Sequence, residues 1–289
     1  MKLAVSSYSF YPLVAGGQMD QLAVMEQAQR MGFAAVEFAN LILPEGVSAL
    51  DYAPRIRQES QRLGLPVINY ATGSDFLKRP WQDEVERLKD EIRAAAAMGA
   101  PAMRHDATTG FPADHVGGRS FDDALPTLVA AYRATADFAQ DLGVKILIEN
   151  HGLFAQDSER VERLLCAVNH PNFGLLLDIG NFMCADEDPA KAVGRLAPYA
   201  CHVHAKDFHF KTGQEPNPGN GWFSTRAGNR LRGAIIGHGV VPVVQCLQIV
   251  RDAGYDGYLS IEFEGAEDSL KGVAWGADFL RAQLGNALH

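Results

Sequence analysis

The sequence holds no Cys-x-x-Cys pair, and its four cysteines, Cys166, Cys184, Cys201 and Cys246, lie far apart. That spacing suggests neither a cysteine zinc site nor a disulfide framework, and it fits a reducing compartment. No apolar run approaches membrane-spanning length, so no membrane partner is expected. After Lys2 only Leu3-Ala4-Val5 precedes Ser6-Ser7, which is too short for a signal-peptide core. The cytoplasm is therefore the expected location. No Gly-x-Gly-x-x-Gly follows the first strand-like segment, which disfavours a dinucleotide fold. Basic residues are outnumbered, 26 against 35 acidic, and the net charge of −9 argues against nucleic acid as a partner. What remains is ordinary globular composition, with 47% apolar and 21% charged residues over 289 positions.

Glycine punctuates the chain. Met31-Gly32-Phe33, Leu63-Gly64-Leu65, Met98-Gly99-Ala100, Leu142-Gly143-Val144 and Ala253-Gly254-Tyr255 each set Gly after a helix-like segment and before a strand-like one. Glycine accepts the left-handed conformation that closes a helix. The first four exits recur every 30 to 45 residues or so, the size of a strand–helix unit. Strand-like segments at 3–6, 34–38, 66–70 and 102–105 alternate with helix-like ones near 21–31, 54–63, 83–98 and 124–142. Strands ending at Glu149 and Asp178 precede helices near 159–168 and 189–196. Two more strands carry His204 and Glu262, and a helix near 270–284 closes the chain. Eight such units predict an α/β fold, a (β/α)8 barrel, as one domain over 1–289. An open doubly wound sheet is the alternative. Between 208 and 238 eight Gly and Pro positions break the rhythm, and a long loop after the seventh strand is expected. Trp222, Arg226, Arg230 and Arg232 suit it to a mobile lid over a polar substrate.

Four consecutive strand-like runs end in polar groups that a core would reject. They are Lys145-Ile146-Leu147-Ile148-Glu149-Asn150, Gly174-Leu175-Leu176-Leu177-Asp178, Cys201-His202-Val203-His204-Ala205-Lys206-Asp207 and Tyr258-Leu259-Ser260-Ile261-Glu262-Phe263. Alternation along a strand puts His202, His204 and Lys206 on one face. A barrel brings strand ends to one mouth, whereas an open sheet scatters them along a line. Glu149, Asp178, His204 and Glu262 then supply three carboxylates and one imidazole, a set that suits one divalent cation: Mn²⁺, Mg²⁺, Co²⁺ or Zn²⁺.

On these residues, and on Leu177-Asp178-Ile179-Gly180-Asn181 and Ser260-Ile261-Glu262-Phe263-Glu264, the chain resembles the sugar-phosphate isomerase/epimerase superfamily of xylose-isomerase-like TIM barrels. The resemblance spans nearly the whole chain. It implies that Glu149, Asp178, His204 and Glu262 hold one divalent metal, Mn²⁺ first among the candidates, and that Glu149 and Glu262 form the acid/base pair of ketose 3-epimerases. Two positions depart from that pattern. Asn181 stands where those enzymes carry His, and the Lys206-Asp207 pair followed by Phe210 stands where they carry a substrate-binding Arg. Similarity to the catalytic subunit of C-glycoside deglycosidases, which cleave 3-oxo-glycosides, draws attention to His151. A homo-oligomer, or a hetero-oligomer with a small second subunit, is implied.

A proton beside a ketone leaves at neutral pH only if the charge that develops is offset, which a divalent cation does. Glu149, Glu262 and His151 are the candidate proton-transfer groups. Lys206, His105, Glu37, Asn181 and Trp222 are expected to contact substrate. The expected activity is isomerisation or epimerisation of a keto-sugar or related polyol. The alternatives are a lyase using the same enolisation on a 3-oxo-sugar, and a metal-bearing subunit completed by a partner.

Overall fold

Short apolar runs form the barrel strands. β1 (Lys2–Ser6), β2 (Ala35–Ala39), β3 (Val67–Thr72), β4 (Ala102–His105), β5 (Lys145–Glu149), β6 (Phe173–Asp178) and β7 (Ala200–Ala205) come first in the chain. An insertion holding β8 (Asp207–Lys211), β9 (Phe223–Ser224) and β10 (Arg230–Ala234) follows, and β11 (Tyr258–Ile261) completes the ring. The barrel is closed, with strand order β1-β11-β7-β6-β5-β4-β3-β2 and parallel pairing throughout. The computed structural model describes residues 1–285. No described helix is long and apolar enough to cross a membrane.

A helix follows every barrel strand. After the short α1 (Tyr11–Ala15) come α2 (Gln21–Arg30), α3 (Ala49–Leu63), α4 (Trp81–Met98), α5 (Phe121–Gln140), α6 (Ser158–Val168), α7 (Pro189–Leu196), α8 (Val243–Asp252) and α9 (Ser269–Gly285). The starts expected near 54 and 124 fall about a turn too late. Capping boxes, Ser48 with Asp51 and Ser120 with Asp123, begin α3 and α5, leaving Pro54 and Pro126 inside the helices. The exit at Gly254 belongs to α8, which supplies the seventh crossover.

The core has two parts. A continuous apolar layer fills the space between strands and helices, with Val5, Phe38, Ile92, Tyr132, Ile146, Val203 and Leu259 among its members. Inside the barrel the apolar filling is small, Ala4, Ala35 and Ile68 backed by Tyr258. Further along the strands the interior turns polar, with Glu37, Asn69, His202, His204 and Ser260 all buried. Stability is thus concentrated outside the barrel, and chemistry inside its mouth.

The segment after β7 is not the structureless loop expected. β10 pairs antiparallel with both β8 and β9, and Gly233 bridges to Gly265 beyond β11. Much of the Gly and Pro content that argued against strands sits in the exposed tip, 212–221. The base of the sheet is held down. The Asp186 carboxylate accepts from Thr225 Oγ1, Ala227 N and Asn229 Nδ2, and Arg226 pairs with Asp157.

Asp207, next to Lys206 in sequence, staples the insertion to the barrel. Its buried carboxylate accepts backbone N–H groups from Phe208, Gly237, Gly239 and Val241 at 2.8–3.0 Å. Gly239 has to be glycine, because a Cβ there would lie 2.1 Å from Asp207 Oδ1. Asp207→Ala is expected to cost about 2–4 kcal/mol, since it strands four backbone donors, those of Phe208 and Val241 buried. A urea unfolding series reads this as a lower midpoint, and an unchanged midpoint would refute the staple.

Candidate active site

His204, fully buried on β7, is oriented by Glu37 on β2. Its Nε2 lies 2.7 Å from Glu37 Oε1, while the other carboxylate oxygen of Glu37 is 2.7 Å from His202 Nε2. Ser260 Oγ sits 3.0 Å from the same His202 nitrogen. An ionised carboxylate only accepts, so the ring nitrogens facing it carry hydrogen. In the neutral His204 ring, Nδ1 is then the free lone pair. Burial pushes the Glu37 carboxyl up, but the His204 and His202 rings override it and hold the group far below the usual carboxylate range.

His204 Nδ1 faces three carboxylates. Glu262 Oε2 is 3.5 Å away, Asp178 Oδ2 3.8 Å and Glu149 Oε1 3.9 Å. Bonds of about 2.1–2.3 Å to one cation put neighbouring ligand atoms about 3–3.8 Å apart. The four side chains expected from the strand ends therefore converge at metal-ligand spacing, each offering one atom within 4.8 Å of the others. His204 Nδ1 and Asp178 Oδ2 are buried and make no well-aligned hydrogen bond, though Lys206 Nζ lies 3.4 Å from the oxygen. Leaving such atoms unsatisfied is costly, and a cation between them would remove that cost. The donor set and the orphaned atoms fit a divalent ion.

Local sequence aims each ligand. Asn150 exchanges two 2.9 Å hydrogen bonds with the Asp178 backbone, joining the ends of β5 and β6. Asp178 Oδ1 accepts from the N–H groups of Gly180 and Asn181, which directs Oδ2 to the centre. Gly180 is required, because a Cβ there would sit 2.7 Å from the Lys206 carbonyl oxygen. Burial, with Glu149 and Glu262 close by, pushes Asp178 up to about 6 despite Lys206. Burial opposes a proton on His204, yet Glu37 and Glu262 hold its pKa well above the imidazole value. A metal and a proton therefore compete for Nδ1.

Lys206 supplies the positive charge. Its buried Nζ is 2.6 Å from Glu262 Oε2, 3.1 Å from Glu264 Oε1 and 3.4 Å from Asp178 Oδ2, and it donates to Asn181 Oδ1 at 3.1 Å. Asn181 Nδ2 donates in turn to Glu149 Oε1 at 2.9 Å. The other Glu149 oxygen lies 2.6 Å from Arg104 Nε. Arg104 also pairs with Asp106, whose carboxylate holds His151 Nδ1 at 2.7 Å. Burial and Arg104 pull the His151 pKa down, but Asp106 more than offsets them and keeps it above the ordinary value.

A cavity of about 140 Å³ opens over this centre, and Tyr8, Arg104, His151, Lys206, Glu262 and Glu264 form much of its wall. Four of the five expected substrate contacts do not line it, Lys206 being the exception. Glu37 is fully buried and spent on two histidines. His105, fully buried, stacks on Tyr132 at 4.7 Å and has Ser74 at its Nδ1, and burial pulls its pKa down to about 4. Trp222 packs under Arg232 at 5.7 Å, away from the cavity. Asn181 lies behind Glu149 and Lys206. Arg104, Asp106, Tyr8 and Glu264 were not anticipated. Arg104 and His105 are adjacent polar residues at the end of β4, so alternation alone does not say which points inward. Glu264 had a signal, since it shares parity with Ser260 and Glu262.

A parallel eight-stranded barrel with acidic, histidine-bearing strand ends defines a class, and the chain belongs within it to the xylose isomerase-like TIM barrel family, whose family model matches residues 25–283. An uncharacterized protein of Methanocaldococcus jannaschii, MJ1311, is 24% identical over 94% of this chain and 86% of its own. Among solved structures, the probable 3-DHS dehydratase AsbF of Bacillus anthracis superposes with a TM-score of 0.73 at 19% identity, covering 97% of this chain and 99% of that one. The 3-keto-D-glucoside 4-epimerase YcjR of E. coli gives 0.71 at 16% identity, covering 98% and 99%.

Because Glu37 fixes the His204 ring without touching the cavity, Glu37→Gln is expected to weaken Mn²⁺ binding about 10–100-fold. His204→Ala should abolish it. Calorimetric titration with Mn²⁺ reads both, and full occupancy in His204→Ala would show the ligand group to be misassigned.

Proposed function

We propose that the protein is a divalent-metal-dependent isomerase or epimerase of a keto-sugar or related polyol, with Mn²⁺ as the first candidate metal. The observation that carries this reading is the convergence of Glu149, Asp178, His204 and Glu262 beneath a polar cavity, with His204 Nδ1 and Asp178 Oδ2 left unsatisfied. When bound there, a divalent cation would draw charge from a substrate carbonyl and so acidify the neighbouring C–H. The protein's own groups do the rest.

Barrel order separates the proton-transfer groups. Glu262 follows β11 and His151 follows β5, three strands apart in a ring of eight, so they stand on different walls of the cavity. Glu262 has one oxygen against Lys206, while no hydrogen bond engages the other. Both Glu149 oxygens are engaged, by Asn181 and by Arg104. Glu149 is therefore a restrained ligand, and Glu262 with His151 forms the acid/base pair. In this mechanism Glu262 removes the carbon-bound proton from one face. The His151 imidazole, held by Asp106, returns a proton to the other face through Nε2. Lys206 keeps Glu262 anionic and in place.

A second reading, elimination from a 3-oxo-sugar, is favoured by the place of His151 at the cavity edge, where a departing oxygen would need a proton. Both reactions begin with the same deprotonation, and the product distinguishes them.

Turnover of keto-sugars in deuterated water should leave deuterium at the inverted carbon. Glu262→Gln and His151→Asn should each lower kcat about 10²–10⁴-fold at full metal occupancy. Part of the loss in Glu149→Gln should be restored by excess Mn²⁺. Product free of deuterium at every carbon would indicate a hydride shift and sink the assignment of the proton-transfer pair.

A further inference from the structure

A second cavity, about 260 Å³, adjoins the polar one and shares Tyr8 and Glu264 with it. It lies between the start of α1, the inserted sheet and the loop after β11. Its character is different. Tyr11 and Phe223, 42% and 41% exposed, present ring surface there that no described residue covers. Tyr8 stands between the two spaces with its ring centroid 5.5 Å from that of Tyr11. Phe223 is braced from behind by buried Phe208, edge to face at 5.8 Å. Buried Phe263 contributes to the wall.

The annex is built into the fold. The bridge between Gly233 and Gly265 ties the inserted sheet to the loop after β11. Neither position admits a side chain. A Cβ on Gly233 would lie 2.3 Å from the Glu264 carbonyl oxygen, and one on Gly265 would lie 2.3 Å from the Phe263 ring. The aromatic surface is thus held against the mouth of the polar cavity rather than carried on the exposed tip.

We infer that this annex binds an aromatic substituent of the substrate, so that the natural substrate is a sugar bearing an aryl group rather than a free monosaccharide. The inference rests on the sugar reading of the polar cavity. At about 260 Å³ this open-sided cavity has room for one aromatic ring against the exposed faces of Tyr11 and Phe223. Aromatic rings gain about 0.5–1.5 kcal/mol from stacking or edge contact beyond the area they bury. A second sugar ring fits less well. The polar side chains, Tyr8, Tyr11, Glu264 and Ser269, sit beside aromatic faces that offer its hydroxyls no partner.

The test titrates the Mn²⁺-loaded protein by saturation-transfer NMR and calorimetry. The probes are methyl and 4-nitrophenyl glycosides of glucose, galactose and xylose, the disaccharide cellobiose, and 4-nitrophenol alone. The 4-nitrophenyl member of at least one pair should bind at least about tenfold tighter than its methyl partner. That gain should vanish in Phe223→Ala and fall in Tyr11→Ser, with methyl glycoside affinity unchanged in both. Cellobiose should show no such gain. Equal affinity within every pair, a gain that survives both substitutions, or failure of every nitrophenyl probe to bind would overturn the inference. Binding of 4-nitrophenol, lost in Phe223→Ala, while no glycoside binds would leave the aryl site standing and remove the sugar reading instead.

Discussion

The Glu37 carboxylate, fully buried between His202 and His204, is the constraint on which the rest of the site depends. An unpaired anion inside the barrel would be prohibitive. Two imidazoles make it tolerable, and the partner geometry then dictates which way His204 presents its ring. With Nε2 committed to Glu37, Nδ1 can only face the mouth. There it meets Asp178 and Glu262, whose cationic partner is Lys206, and Glu149, whose cationic partner is Arg104. A residue with no exposed surface therefore determines whether four strand ends form a binding site or a cluster of repelling charges.

The charge balance continues outward in order. Three carboxylates around one point repel, and the ammonium of Lys206 with the guanidinium of Arg104 offsets them from two sides. Such pairs are poor sources of stability, because desolvation cancels much of the attraction. Their role here is orientation. Arg104 and Asn181 take the two Glu149 oxygens, and the Asn150 contacts and the turn at Gly180 direct Asp178. Stability comes instead from the apolar layer between strands and helices. That division lets β7 serve both purposes: Val203 and Ala205 pack outward with no exposure, while His202 and His204 point inward.

The fold was legible because its signals repeat. Eight apolar runs and regular glycine exits give the barrel even where helix starts slip by a turn. The candidate metal-ligand group was legible because each of its members lies at or next to a strand end and period-two alternation fixes its side. Legibility failed where alternation does not discriminate. Arg104 and His105 are polar neighbours, so either could face the mouth, and it is His105 that packs away against Tyr132. The apolar run read as 34–38 put Glu37 near a strand end, which suggested the mouth, but it stands in the middle of β2, deep enough to meet two histidines on β7. The insertion escaped for a different reason. Its strands are short and paired with each other, and composition averaged over the segment let the Gly- and Pro-rich tip hide them.

That insertion bears on how the barrel acquires specificity. Strand ends supply groups that any keto-sugar chemistry could use, and they leave a cavity of only about 140 Å³. β8 begins one residue beyond Lys206, and Asp207 pins both its start and the return after β10. The inserted sheet consequently has little freedom to shift relative to the ammonium beside Glu262. A lid that closed from a flexible hinge would lose ordering entropy at every encounter. A wall already stapled beside the reacting groups loses none, and it can enlarge the pocket with chemistry that the strand ends lack. In this chain that chemistry is aromatic, carried by Phe223 on the sheet and by Tyr8 and Tyr11 opposite. On the proposed reading, the barrel strand ends would set the reaction, and Phe223 with Tyr8 and Tyr11 would bear on the choice among substrates.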